Sequence, residues 1–313
     1  MKFFAQISSL VFALVILAGC AAKVANYDAI SQNAARDAAV ADESAARTIQ
    51  HAQSKLELGR SEKLAFYAPR HLKLASEQLA EAQNMHISGD PDGPVKTAAM
   101  RSIKTLEAGL QTKQQILTRL KPTLDHRAVL LNIRADDFFP TDFAGLEQSL
   151  LELIDLMEDN RIAEVTKEQQ QLLARMHQVE VNTIEYIQLQ PVKDHLQRID
   201  NKGGPDVAPI SWQTAQTVLQ QAQALIAKTP RAKGAIAKAT IAATRATQHA
   251  EVITDLSNEI AEARSQEAEA IALRMERWLY RISVALQHDD IRHQTLSDQA
   301  SEYAAAIKAL SHQ

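Results

Sequence analysis

Apolar positions step by three and four residues along most of the chain, the period of a helix with one buried face. Three stripes carry this pattern best: Leu72, Ala75, Leu79, Ala82; then Phe143, Leu146, Leu150, Leu153; then Trp212, Ala215, Leu219, Ala222. Each begins three residues after a proline, in Ala68-Pro69, Phe139-Pro140 and Ala208-Pro209, and the interval from Pro69 to Pro140 nearly equals that from Pro140 to Pro209. Proline suits the first helical position, where its missing amide has no partner to lose and its φ is already helical. The stripes continue to His86, Met157 and Ile226 before breakers intervene: Gly89-Asp90-Pro91-Asp92-Gly93-Pro94, Glu158-Asp159-Asn160 and Lys228-Thr229-Pro230.

After each breaker a second stripe runs back: Ala99, Ile103, Leu106, Leu110, Leu117; Leu172, Met176, Val179; and Ile236, Ala239, Ala243, Ala246, Ala250, Ile253. A short loop between two amphipathic helices makes them antiparallel neighbours. The expectation is an all-α fold of tandem antiparallel helical hairpins, three repeats of roughly 70 residues each, forming an elongated coiled-coil-like bundle. Its divisions are a hairpin over 67–137, a second over 138–206 and a third over 207–287. Because residues 231–287 contain no proline and only Gly234, the last hairpin is expected to have a long second helix of up to 57 residues, roughly 85 Å. Residues 28–66 read as one amino-terminal helix with Ala38, Ala41, Ala45, Ile49, Ala52 and Leu56 on its buried face, and 288–313 as a closing helix after a turn at Asp289-Asp290.

Composition narrows the function. The chain has 313 residues, 34 Lys plus Arg against 38 Asp plus Glu, and a formal net charge of −4, so no nucleic-acid partner is expected. Aromatics make up only 4%, with one Cys, which excludes a disulfide scaffold and any multi-cysteine metal site. The single Cys stands at an informative place. Lys2, an apolar run from Phe3 to Ile16 and then Leu17-Ala18-Gly19-Cys20 resemble a bacterial lipoprotein signal peptide with its lipobox. The resemblance implies cleavage of 1–19, lipidation of Cys20 with acyl chains such as palmitate, and a lipidated tether over 20–27. An ordinary signal peptide or a single-pass anchor is the alternative, although the apolar run is short for a membrane span. Ala21 follows the cysteine where an Asp would favour inner-membrane retention, so the resemblance implies an outer-membrane anchor facing the periplasm.

A second resemblance lies at Tyr67-Ala68-Pro69 with Leu72, Ala75, Leu79 and Ala82. This segment resembles the opening of a helical domain of unknown function found in proteobacterial lipoproteins, over about residues 28 to 120. In that family the domain often precedes an OmpA-like peptidoglycan-binding domain. Here the carboxy-terminal third is instead helical, without the alternating α/β pattern or Asn/Leu/Ser/Arg motif of such a domain.

Sites of chemistry are sparse. There is no phosphate loop, nucleophile elbow, His-Glu-x-x-His or dinucleotide fingerprint. The densest histidine group is His288, Asp289, Asp290 and His293, in which Asp289 and His293 could face one metal if helical; a solvated polar turn is the plainer reading. His86, His177 and His249 lie on or beside helical stripes and read as partly buried packing residues. The acidic pairs Asp136-Asp137 and Asp155 with Glu158 read as solvated faces rather than acid/base couples. Trp212 occupies a stripe and reads as core; Trp278-Leu279-Tyr280 is either inter-helix packing or an exposed partner surface.

No catalytic, cofactor-binding or metal residue is therefore assigned, and Cys20 is the one site residue expected. The leading expectation is a membrane-anchored periplasmic lipoprotein, not an enzyme and without a cofactor, that acts as a helical scaffold or protein-interaction module. Its expected partners are the membrane, through lipid on Cys20, and unidentified envelope proteins, with self-association left open. Two alternatives are a lipid- or peptidoglycan-associated binding protein and a metal-dependent enzyme around His288 and His293.

Overall fold

A computed structural model describes residues 24–311; the expected signal peptide and Cys20 lie outside the described residues. The chain forms α1 (Tyr27–Val40), α2 (Ala45–Ser61), α3 (Leu64–Tyr67), α4 (Pro69–Ile87), α5 (Asp92–Arg119), α6 (Lys121–Asn132), α7 (Ala135–Phe138), α8 (Pro140–Glu158), α9 (Ile162–Asn201), α10 (Gly204–Val207), α11 (Pro209–Lys228), α12 (Lys233–Glu262), α13 (Ser265–Leu286) and α14 (Leu296–Ser311). The fold is all-α, with no strand among the described residues. Two compact units divide the chain, one running to Thr183 and the other from Ile184.

In the first unit α4 packs along α5, and α1 and α2 both lie on α5. One core gathers Ile49, Ala52 and Leu56 of α2, Ala75, Leu79 and Ala82 of α4, and Ala99, Ile103 and Leu106 of α5. A second gathers Phe143, Leu146, Leu150 and Leu153 of α8 with Leu172, Met176 and Val179 of α9. In the second unit α11 packs along α12, burying Ala215, Leu219, Ala222 and Ile226 against Ile236, Ala243 and Ala250. The three stripes read from the sequence are the buried faces of α4, α8 and α11, with Leu72 and Trp212 at their half-buried starts.

The junction before each proline repeats in backbone detail. A left-handed residue comes first: Lys63 (φ 59°), Arg134 (φ 60°) or Gly203 (φ 80°). A four-residue helix follows, and then one residue outside the helical region: Ala68 (φ −152°, ψ 59°), Phe139 (φ −133°, ψ 60°) or Ala208 (φ −138°, ψ 50°). Proline then opens the next helix. Two of the three hairpin loops also agree: α4 and α8 end on left-handed Gly89 and Asn160, with Asp90 N donating to Met85 O at 3.0 Å and Arg161 N to Leu156 O at 2.9 Å. The third loop differs because Pro230 has no amide to donate.

Packing at the first junction depends on two helical glycines. Leu64, fully buried at the start of α3, lies between Gly59 of α2 and Gly109 of α5. A Cβ on Gly59 would stand 3.2 Å from Leu64 Cδ1, and one on Gly109 would stand 2.9 Å from the Cβ of His71. Glycine is unfavourable inside helices; here it lets α3 and α4 approach α2 and α5 closely.

Several expected boundaries move. Residues 28–66 are three helices rather than one, broken at Ala41–Ser44, where Ser44 Oγ accepts from Arg47 N at 3.4 Å. The long helix expected over 231–287 breaks at Ala263, which is extended (φ −61°, ψ 127°), and α13 restarts with Glu267 accepting from Arg264 N at 2.8 Å. The closing helix starts at Leu296, not 288. Pro122 and Pro191 are separated by the same interval as Pro140 and Pro209 with different results: the helix ends at Leu120 before the first and continues as α9 through the second.

Candidate functional site

Where the start of α4 meets the α8–α9 turn, a buried polar cluster forms around Glu158, the last residue of α8, whose side chain is fully buried. Helix α4 begins on Ala68-Pro69 with no capping side chain of its own, leaving its first amides without partners. Glu158 supplies what is missing: Oε2 accepts from Arg70 N at 3.2 Å and Oε1 from His71 N at 3.0 Å. The same Oε1 lies 2.7 Å from His71 Nδ1. A carboxylate at a helix amino terminus also meets the positive end of the helix dipole. The backbone carbonyl of Glu158 is engaged too, accepting from Ala25 N at 3.0 Å beside buried Val24.

Beside this pair runs a groove of about 430 Å³, lined among others by Arg70, Asp155, Asp159, Arg161 and Arg175. Its three arginines are all already engaged. Arg70 pairs with Asp159 at 2.7 Å, Arg161 Nε donates to Glu164 at 2.7 Å, and Arg175 donates to Ser149 Oγ at 2.9 Å. Burial raises the Asp155 carboxyl above its ordinary value, against the opposing pull of Arg70. The structure thus brings Asp155 and Glu158 to one place, but with different surroundings: Asp155 lines the groove, whereas Glu158 is consumed as a helix cap rather than solvated.

The histidines are a correction. His86, His177 and His249 are all exposed, while the packed ones are His71, His126 and His195. His126 Nε2 meets Glu180 at 2.7 Å within the first unit, and His195 Nε2 meets Glu251 at 2.7 Å within the second. Each histidine stands eight residues before a left-handed junction residue, Arg134 or Gly203; His126 and His195 are separated by the same interval as Pro140 and Pro209, and Glu180 and Glu251 by two residues more. The sequence held this signal, because both members of a pair recur at close to the proline spacing. In the first copy the corresponding position is Lys55. Glu251 also accepts from Lys202 at 3.0 Å, and Lys202 foremost, then His195, holds its carboxyl below the usual range.

The remaining candidates separate. Among the described residues no group of three or more His, Cys, Asp or Glu could hold a metal. His288 stacks edge-on against Tyr303 with centroids 5.4 Å apart, and Asp290 is held by Arg292, which lowers its carboxyl to about 2. Asp137 pairs with Arg134 at 2.6 Å. Trp212, half-buried, donates from Nε1 to Asp200. Trp278 is 49% exposed, while Leu279 and Tyr280 beside it are half-buried. No helix among the described residues is long and apolar enough to cross a membrane. The chain matches no family model, no curated protein and no solved structure.

Proposed function

We propose that the chain is a lipid-tethered helical scaffold of a bacterial envelope, anchored at Cys20 in the outer membrane and presenting its hairpins to protein partners in the periplasm. The observation that carries this reading is the use of the buried Glu158–His71 cluster for architecture. Glu158 gives its carboxylate to the amino terminus of α4 and its carbonyl to Ala25, which ties the beginning of the described chain to the α8–α9 turn. Val24 is four residues from Cys20, a reach of at most about 14 Å of extended chain. A lipid on Cys20 therefore holds this turn near the membrane surface.

The test has two parts. Cells supplied with a palmitate probe should label the protein, and Cys20→Ala should abolish the label. Crosslinking in intact cells should then capture a defined set of envelope proteins with the wild-type chain and not with Cys20→Ala. Absence of label removes the lipoprotein, and capture of nothing removes the scaffold. An association with lipid or peptidoglycan is the second reading, and the exposed face of α13 favours its lipid side.

A further inference from the structure

Helix α13 differs from the paired helices because it buries little of itself: across 22 residues only Ser283 is buried. Its exposed apolar residues include Leu273 (46%), Trp278 (49%), Ile282 (42%) and Val284 (59%). Ile307 of α14, 50% exposed, completes a groove of about 470 Å³ with Trp278, Arg281, Ile282, Ala285 and Leu286. Trp278 and Ile282 are one helical turn apart, and so are Arg277 and Arg281, so a cationic row runs beside the apolar row.

The charge on this face has one sign. Arg277 and Arg281 are exposed, and neither is in an ion pair among the described residues. Arg292 pairs with Asp290 at 2.6 Å, and its guanidinium lies 4.4 Å from the Tyr280 ring centroid. Arg274 is held bidentately by Glu259 at 2.7 Å and lies over the Trp278 ring, 5.7 Å from its centroid, which restrains the indole. The groove itself is lined by one cation and no carboxylate, unlike the mixed groove at the α8–α9 turn.

We infer that the Trp278–Ile282 face of α13 docks on a membrane surface containing anionic phospholipid. An amphipathic helix with Trp and aliphatic residues on one face and arginines at its edge settles at the headgroup boundary. The indole occupies the interfacial layer, and Arg277 and Arg281 extend their stems along the acyl surface while their guanidinium groups meet phosphate. The inference gives a site to the lipid-associated reading and needs only the carboxy-terminal unit, so it holds whether or not Cys20 carries lipid.

Trp212 and Trp278 are the only tryptophans, so the full chain carrying Trp212→Phe reports from Trp278 alone. Its emission should shift to the blue on adding phosphatidylglycerol vesicles and be quenched when the lipids carry brominated acyl chains. Phosphatidylcholine vesicles should give a much smaller shift, and Arg277→Gln with Arg281→Gln should remove the phosphatidylglycerol response while leaving the helical circular dichroism unchanged. Because the readout is local, binding through the apolar leader does not imitate it. No shift, or an equal shift with both lipids, overturns the inference. A shift that grows with protein concentration without vesicles overturns it in favour of a second copy of the chain. Failure of palmitate labelling would leave this result untouched, so the two readings fail separately.

Discussion

Glu158 holds His71 twice, at its backbone amide and at its ring Nδ1, across 87 residues of sequence. The contact joins the end of one proline-initiated helix to the start of another, and it buries a carboxylate in doing so. Removing the partner leaves orphaned amides as well as an unpaired imidazole. Glu158→Ala should therefore destabilise the first unit by about 3 kcal/mol, the usual cost of breaking a buried pair. Glu158→Gln, which keeps an acceptor, should cost less. Chemical unfolding followed by circular dichroism checks both, and equal losses for the two variants would refute the capping role.

Leu150 is fully buried in the core between α8 and α9. Leu150→Ala should cost about 3 kcal/mol through lost transfer and the cavity left behind, and Leu150→Asp should cost more because it adds an unpaired charge. An unchanged melting curve for either would place Leu150 at the surface.

Alanine normally stabilises a helix relative to glycine by about 1 kcal/mol. Gly109→Ala should do the opposite, since the added carbon would meet the His71 Cβ at 2.9 Å and overpacking costs about 1–3 kcal/mol. Gly234→Ala, in the first turn of α12 with nothing within 4 Å of its added carbon, should be neutral or stabilising. Melting temperatures of the two variants should therefore move apart, and a stabilised Gly109→Ala would show that the helices separate easily there.

Acid should weaken the second unit through Glu251. Its folded carboxyl lies below the usual range because Lys202 and then His195 engage it, and an unfolded Glu titrates near 4.3, about a model-peptide value. The contribution is present above that unfolded value and is lost as the pH falls through the lower folded one. Glu251→Gln should consequently lower stability at neutral pH and converge with wild type in strong acid. Parallel unfolding curves at both pH values would remove the linkage.

The sequence made the hairpins legible because Pro69, Pro140 and Pro209 stand at fixed offsets from buried stripes, and local physics suffices to start a helix there. Breaks at Ala41–Ser44 and Ala263 were hidden, since neither contains glycine or proline; only the caps at Ser44 and Glu267 mark them. The histidines show the same limit. Position on a helix face pointed to His86, which lies beyond the packed part of its stripe, whereas His71 is buried by a partner 87 residues away. His126–Glu180 and His195–Glu251 were readable only by translating residue pairs, not single residues, along the chain.

The recurring junction brings distant points of the chain into one backbone geometry. Lys63 (φ 59°, ψ 34°) and Arg134 (φ 60°, ψ 39°) are both left-handed and each leads into a four-residue helix, a bend and a proline. Joining Lys63 directly to Ala135 would remove the segment 64–134 with almost no change of backbone angle at the seam. The cost of such a deletion lies in packing instead, because the segment carries α5, on which α1 and α2 lie.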